Sequence, residues 1–579
     1  MSIPAGAARV LRSAGTRVAS VARAVIARVA HALRSLRLPP LRSPAGVAGA
    51  VLAVVVVAGA VLGSLHLATG GQAQPKPRPT SHLLVNDHQV TPNGVTAGWV
   101  KAENAKPGDR GWNLENTSNQ APGAIEGYAD RVSAVSGDTV TMFVSTVAPS
   151  FHVEAYRMGW YGGDGGRLIW RSAELTGTKQ AAPTLSPGVN MIEAHWTPSL
   201  TVTLTPGWPP GDYLFKLVGS GNQQSRVPLT LRDDSSTAAY VIQNSVTTWQ
   251  AYNLWGGYDL YQGRSPQGGM AFADRSRVVS FDRPYEFGFG GGAADFIGNE
   301  QPLVSMAERL GLDVTYSTDV DLHAAPERLL QHRALISLGH DEYWSSVMRQ
   351  GVATARDHGV NLLFLGANAI YRHIRFESSP LGPNRHEIDY KSASEDPITA
   401  VDPTEATSDW PSPPVPRPES TIIGDMYICN PVKADMVIVD PSAWVFVGTG
   451  LASGAKLPDL VGSEYDRYNP NLPGPTNIQI LAHSPLTCSH QQDHSDMTYY
   501  TAPSGGGVFA TGTNVWVASL GAPCPAGPSP CPSDVTQRVT ENVLAATGVG
   551  PAGAAHPSRA NWTAFYPAGA ATRTPGPGE

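Results

Sequence analysis

Between residue 81 and about residue 235 the chain alternates apolar and other positions with a period of two. Val140, Met142 and Val144 form one such run and Phe151, Val153 and Ala155 a second. Leu200, Val202 and Leu204, then Tyr213, Phe215 and Leu217, then Val227, Leu229 and Leu231 continue the pattern. Successive side chains of a strand face opposite ways, so runs of this kind separated by turn residues predict an all-β sandwich over residues 81–235. From residue 236 the texture changes. Short apolar runs (AAYVIQ, LDVTYS, ALISLG, NLLFLG) now alternate with helix-period segments (EQPLVSMAERLG, PERLLQH, SSVMRQGVATARDHG). An apolar run too short for a helix reads as a strand buried on both faces, and its alternation with helices predicts an α/β catalytic domain, mainly a parallel sheet, over residues 236–548. A proline-rich excursion at residues 399–420 interrupts it. Strands return in MVIVD, WVFVGTG and NIQILAHS, then in GGGVFATGTNVWVASL, and a last helix is expected in VTQRVTENVLAATG. The Ala/Gly/Pro composition of residues 549–579 predicts a disordered tail.

Ahead of the sandwich the pattern is of another kind. Residues 1–44 carry eight arginines and no acid, residues 45–68 carry no charge at neutral pH, and residues 69–80 are proline-rich. The apolar stretch is long enough for the roughly 20 residues that a bilayer's hydrocarbon core requires. Arginines before it are expected to remain in the cytoplasm. The expected arrangement is therefore an Arg-rich cytoplasmic segment, a transmembrane helix, a stiff stalk and an extracellular catalytic domain at the cell membrane. The alternative is cleavage of a signal peptide near residues 69–73 and secretion.

Composition adds three constraints. At 579 residues the chain exceeds one core. Its net charge of -7, with 15% charged residues, provides no basic patch for nucleic acid beyond the N-terminal segment. There are four cysteines. Cys524 and Cys531 flank a short Pro/Gly turn that a disulfide could close, leaving Cys429 and Cys488 as a second pair; three pairings are open, as is a fully reduced set.

Polar residues just beyond the strands of a parallel sheet are the first candidates for chemistry. The segment ALISLGHDEYWSS, residues 334–346, delivers His340, Asp341, Glu342, Tyr343 and Trp344 directly after an apolar run. Asp341 and Ser345 fit helix caps, and Tyr343 and Trp344 fit packing under the sheet. His340 and Glu342 are needed for neither. Two more strand ends present the tyrosine-rich residues 244–261 and Asn368 followed by Arg372. The familiar nucleophiles are missing: there is no G-x-S-x-G elbow, no cysteine between residues 236 and 428, and no H-E-x-x-H. The glycine-rich residues 156–170 lack the spacing of a phosphate cradle. A metal ion would supply the electrophile. Because a free phenol ionises only near pH 10, tyrosinate ligands would require a hard, strongly acidic cation.

WQAYNLWGG, SFDRPY, GHDEYWS, FLGANAIYRHIRFE, SEYDRY and APSGGGVFATGT, taken together and in this order, resemble the large (beta) subunit of N,N-dimethylformamidase and its relatives, over roughly residues 156–548. The resemblance implies a glutamine-amidotransferase-like α/β catalytic domain holding one ferric iron (Fe3+) per chain through two tyrosines and a glutamate. It places the glutamate at Glu342, with Tyr252 and Tyr285 as the tyrosines; Tyr258 and Tyr261 lie close in sequence to Tyr252. It also places active-site polar residues at His340, Asn368, Lys391 and Glu464. The implied activity is hydrolysis of a carbon–nitrogen bond in a small amide, with a small partner subunit or a homo-oligomer as the expected assembly. Two other readings stand beside it: a non-catalytic cell-surface binding protein that keeps the fold, and a glycosidase using Glu342 and Glu464 as paired carboxylates.

Overall fold

The computed structural model describes residues 88–115, 120–524 and 531–567, all within one of the chain's two compact units, Pro79–Glu579. The Arg-rich segment, the expected membrane span 45–68 and the stalk lie outside the described residues. No described helix is long and apolar enough to cross a membrane. The expectation of a single-pass membrane protein with an extracellular catalytic domain is corrected to this extent: no helix among the described residues supports a membrane span.

Residues 125–232 form two facing sheets. The larger runs, in spatial order, Ser133–Val135, Gln224–Arg232, Gly211–Gly219, Ser150–Met158 and Gly166–Arg171; the smaller runs Leu200–Thr203, Thr139–Thr146 and Ile125–Ala129. The alternating residues line one core: Val140, Met142, Val144, Phe151, Val153, Ala155, Tyr213, Phe215, Leu217, Val227, Leu229 and Leu231 all pack there. A short helix, Gly98–Asn104, precedes these sheets. Beyond the core, Arg157 of strand Ser150–Met158 is fully buried and meets Glu308 of helix Gln301–Arg309 at 2.5 Å.

The region after the sandwich is built on a seven-stranded sheet in the order Val314–Thr318, Tyr240–Asn244, Ala334–Gly339, Asn361–Gly366, Gly507–Ala510, Gln491–Thr501, Gln479–Cys488. The first five strands are parallel and the last two antiparallel. Three further sets of strands surround it. They include a four-stranded sheet of Val278–Ser280, Gly382–Ile388, Arg372–Ser379 and Tyr343–Ser345, and a long hairpin of Met426–Val437 with Lys456–Arg467. The expectation of a mainly parallel α/β domain is thus corrected: among the described residues strand outweighs helix, and the sheets are mixed.

The difference has a physical source. The long hairpin shifts register three times, between Tyr427 and Cys429, between Cys429 and Val432, and between Ala434 and Met436. Each shift resets the period-two pattern that marks an antiparallel strand. Two predicted elements also change type. WVFVGTG contains a 3-10 turn, Trp444–Phe446, instead of a strand, and PERLLQH is a 3-10 helix, Pro326–Gln331, entered through a proline.

Both disulfides are present, Cys429–Cys488 and Cys524–Cys531. Residues 549–567, expected to be disordered, instead fold back onto the sheet. Tyr566 is buried and joins the cluster containing Tyr468, Ile478, Ile480 and Tyr500, while its hydroxyl donates to Asp496. Aromatic residues at 562, 565 and 566 supply the apolar surface that average composition concealed.

Candidate active site

Strand Ala334–Gly339 is buried throughout and ends at Gly339, whose φ of +54° is a conformation that glycine reaches without a Cβ penalty. A Cβ there would also come within 2.8 Å of the Asn299 carbonyl oxygen. The turn delivers His340 and Glu342 past the strand end. On the neighbouring parallel strand, in register Gly339 to Gly366, Asn368 occupies the equivalent place with φ +59°. The two strand ends are tied by Ile370 N donating to the Asp341 carbonyl oxygen at 3.0 Å. Tyr252 caps helix Val246–Ala251, which follows the third strand, Tyr240–Asn244.

Phenols and cations converge on the Glu342 carboxylate. Tyr252 donates to Oε2 at 2.8 Å, and the Tyr261 hydroxyl lies 3.1 Å from both oxygens. The two phenol oxygens are 2.7 Å apart and their rings stack with centroids at 4.5 Å. Arg372 Nε donates to Oε1 at 3.3 Å, and the backbone N–H of Glu342 donates to Thr248 Oγ1 at 2.9 Å. Behind Tyr261, Tyr343 donates to its hydroxyl at 2.7 Å. Lys391 Nζ in turn donates to Tyr343 at 2.5 Å and lies 3.7 Å from the centre of the Tyr261 ring. On the other side, His340 Nε2 is 3.4 Å from Glu342 Oε2 and 3.3 Å from Glu464 Oε2, without an aligned hydrogen bond to either. Asn430 Nδ2 donates to the other Glu464 oxygen at 3.0 Å.

Proton affinities follow from this arrangement. Burial alone would raise the Glu342 carboxyl, but the nearby His340, with Lys391 and Arg372 behind, pulls it down to about 2. Burial, then the Glu342 charge, push the Tyr252 and Tyr343 hydroxyls well above the usual phenol range, and Tyr261 likewise despite Arg372. Burial disfavours a charged His340, yet Glu464 and Glu342 hold its imidazole protonated well above its ordinary range. Burial and Arg372 bring Lys391 down to about 8.

Of the residues expected from the sequence, Tyr252, His340, Glu342, Lys391 and Glu464 come together, and Asn368 stands at the adjoining strand end. Its backbone N–H donates to Asp466 at 2.8 Å, while its side-chain carbonyl oxygen is buried without a hydrogen-bond partner. Tyr285 is elsewhere. It packs edge-on against Trp249 and lines a cavity with Tyr128, Asp212 and Arg283; its charged neighbours are Glu387, Arg385, Arg283 and Glu300. The second phenol at Glu342 is Tyr261, which sits in the same tyrosine-rich loop as Tyr252. Tyr343, which fitted simple packing, and Arg372 also reach the cluster.

Three oxygen donors, Glu342 Oε2 and the Tyr252 and Tyr261 hydroxyls, therefore lie within 2.7–3.1 Å of one another. That is the spacing of oxygens around a small hard cation. The protons now filling the cluster are those such an ion would displace, so the donor set fits iron of the ferric type.

Comparison with known proteins adds the family. No curated protein sequence matches the chain. Among solved structures, a Paenibacillus sp. cycloisomaltooligosaccharide glucanotransferase complexed with cycloisomaltoheptaose matches at 8% identity, over 54% of this chain and 61% of that one, with a TM-score of 0.15. A likeness so slight carries no argument. The match thus spans less than two thirds of that chain's length. The family model described as N,N-dimethylformamidase beta subunit-like, C-terminal, matches residues 152–529; it takes in every residue gathered at Glu342, and the chain belongs to that family.

Proposed function

We propose that this protein is an iron-dependent amidohydrolase that cleaves the carbon–nitrogen bond of a small amide. The observation that carries the reading is the meeting of two phenols on one buried carboxylate, with an imidazole between that carboxylate and a second one. Glu342, Tyr252 and Tyr261 would hold the ion. When bound, a ferric ion polarises an amide carbonyl and makes a water molecule more acidic.

The remaining chemistry belongs to the chain's own groups. Lys391, acting through Tyr343, fixes the position of the Tyr261 oxygen, and Arg372 fixes the Glu342 carboxylate. His340 carries a proton within reach of the pocket and is placed to pass it to a departing amine, with Glu464 taking up the positive charge. The Asn368 amide, whose oxygen has no partner, is available to a substrate oxygen. The family's name, that of a beta subunit, supports a small partner subunit.

A glycosidase finds less support. One imidazole nitrogen stands between Glu342 and Glu464, where a glycosidase holds the scissile bond between its two carboxyl groups. The test is metal analysis of the purified full chain together with assay on N,N-dimethylformamide and other small amides. One equivalent of iron with amide turnover supports the proposal. Full-length protein that folds, binds no iron when reconstituted and turns over no amide sinks it.

A further inference from the structure

A second group of ligand-type side chains meets where the sandwich touches the catalytic region. Glu193 ends strand Met191–Glu193, His386 lies in strand Gly382–Ile388, and Asp282 follows strand Val278–Ser280. One ligand atom from each of the three lies within 4.8 Å of the others. His386 Nε2 is 2.7 Å from Glu193 Oε1, and His195 Nε2 is 3.6 Å from Glu193 Oε2. His195 holds a left-handed backbone, φ +47°, which is uncommon for a residue other than glycine.

The surroundings are those of a supported donor set. Ser280 Oγ donates to Glu193 Oε1 at 3.0 Å and itself accepts from Asp282 N at 3.0 Å; Ser379 Oγ donates to Asp282 Oδ2. Arg385 Nε is turned to Asp282 Oδ1 at 2.7 Å, and its Nη2 ends on the carbonyls of Ala129 and Phe281, so the guanidinium stays on one side.

We propose that Glu193, His195, Asp282 and His386 form a second cation site, distinct from the Glu342 cluster, which takes a divalent ion of the zinc class and staples the sandwich to the catalytic region. Two imidazoles and two carboxylates match zinc's preference for four nitrogen and oxygen donors. Bonds of about 2.0–2.2 Å would draw the ligand atoms to roughly 3.3 Å from one another. Ligation through His386 Nε2 would replace its contact with Glu193 Oε1, and the two serines keep the carboxylates oriented. His195, whose side chain is 53% exposed, is the entry side.

Metal-free full chain is titrated with Co2+, in wild type and in Glu342→Gln, His195→Ala and His386→Gln variants. Wild type and Glu342→Gln should each take up cobalt with the visible bands of imidazole ligation, and Zn2+ should raise the melting temperature of both. His195→Ala should bind at least roughly tenfold more weakly, and His386→Gln should lose the bands. Because His195 is exposed, its variant folds even where His386→Gln does not. Absence of imidazole-type cobalt binding in Glu342→Gln, or undiminished binding in His195→Ala, overturns the proposal.

Discussion

Two buried polar networks in this molecule differ in how completely they are paired. Around Arg157 nothing is left over. Its guanidinium donates to the Pro210 carbonyl at 2.8 and 3.0 Å, to the Met158 carbonyl at 3.3 Å, to Tyr161 at 2.9 Å and to both oxygens of Glu308. Glu308 also accepts from Tyr316 at 2.6 Å and Asn104 at 2.8 Å, and none of these side chains has an unpartnered buried atom. Around Glu342, by contrast, His340 Nε2, Glu464 Oε2 and Asn368 Oδ1 are buried without hydrogen-bond partners. An unpartnered buried polar atom is costly, so a fold keeps several together only where something else is to fill them. The first network braces two layers, and the second leaves polar atoms open to the ion and substrate proposed above.

The comparison breaks most readily at its braced end. Glu308→Ala strands the fully buried Arg157 charge and should cost about 3–5 kcal/mol in urea unfolding. If the loss is under 1 kcal/mol, the network is no brace. At the open end the effect should fall on the metal instead. Glu342→Gln removes the one formal negative charge among the proposed donors, and iron content should drop from one equivalent to near zero while unfolding free energy moves by less than about 1 kcal/mol. Retention of full iron would show the ligand set to be elsewhere.

A finer cut compares two phenols. Tyr261→Phe should weaken and shift the visible phenolate-to-iron absorption, leaving that of Tyr252, whereas Tyr285→Phe should leave the colour and the iron unchanged; the reverse result would return Tyr285 to the site.

An effect seen only in the pH profile concerns Asp212, whose charged neighbours include Arg157 and Glu308. Burial pushes its carboxyl up to about 7, against the hydrogen bonds from Thr230 and Asn244. The folded state therefore holds a proton that the unfolded chain releases near its ordinary value of 3.8. Its contribution favours folding below that value and is lost as pH rises toward 7, by at most about 1.4 kcal/mol per pH unit. Asp212→Asn should flatten the stability profile between those limits. An unchanged slope would mean that Asp212 is ionised in the fold.

What could be read from the sequence depended on how far apart the deciding residues lie. Strand periodicity is local, and the alternating residues from Val140 to Leu231 were enough to identify the sandwich core. The run ending at Gly339 was enough to present His340 and Glu342, because one strand and one turn fix both. Tyr261 was harder. Its ring reaches Glu342 only after the loop following helix Val246–Ala251 folds back, and four tyrosines between residues 252 and 285 share one composition. Glu464 arrives on a hairpin whose bulges mask its period, so only the resemblance pointed to it. The mixed sheet was missed for the same reason, and the tail because three aromatics were averaged into an alanine- and proline-rich segment.

Strand Gly507–Ala510 lies in the central sheet between Asn361–Gly366 and Gln491–Thr501, and the side chain of Asn361 bonds to Gly507 N, Thr547 O, Gly550 O and Ala552 N. On the ribosome this means that the active-site strand ends are synthesised long before the partner that secures them. The N-terminal sandwich can complete its core while the chain is still being made, but the catalytic sheet has an open edge at Asn361–Gly366 until some 150 further residues have emerged. Pairings so distant in sequence form slowly. During synthesis, therefore, that edge is the part of the chain most exposed to capture by chaperones or by other strands.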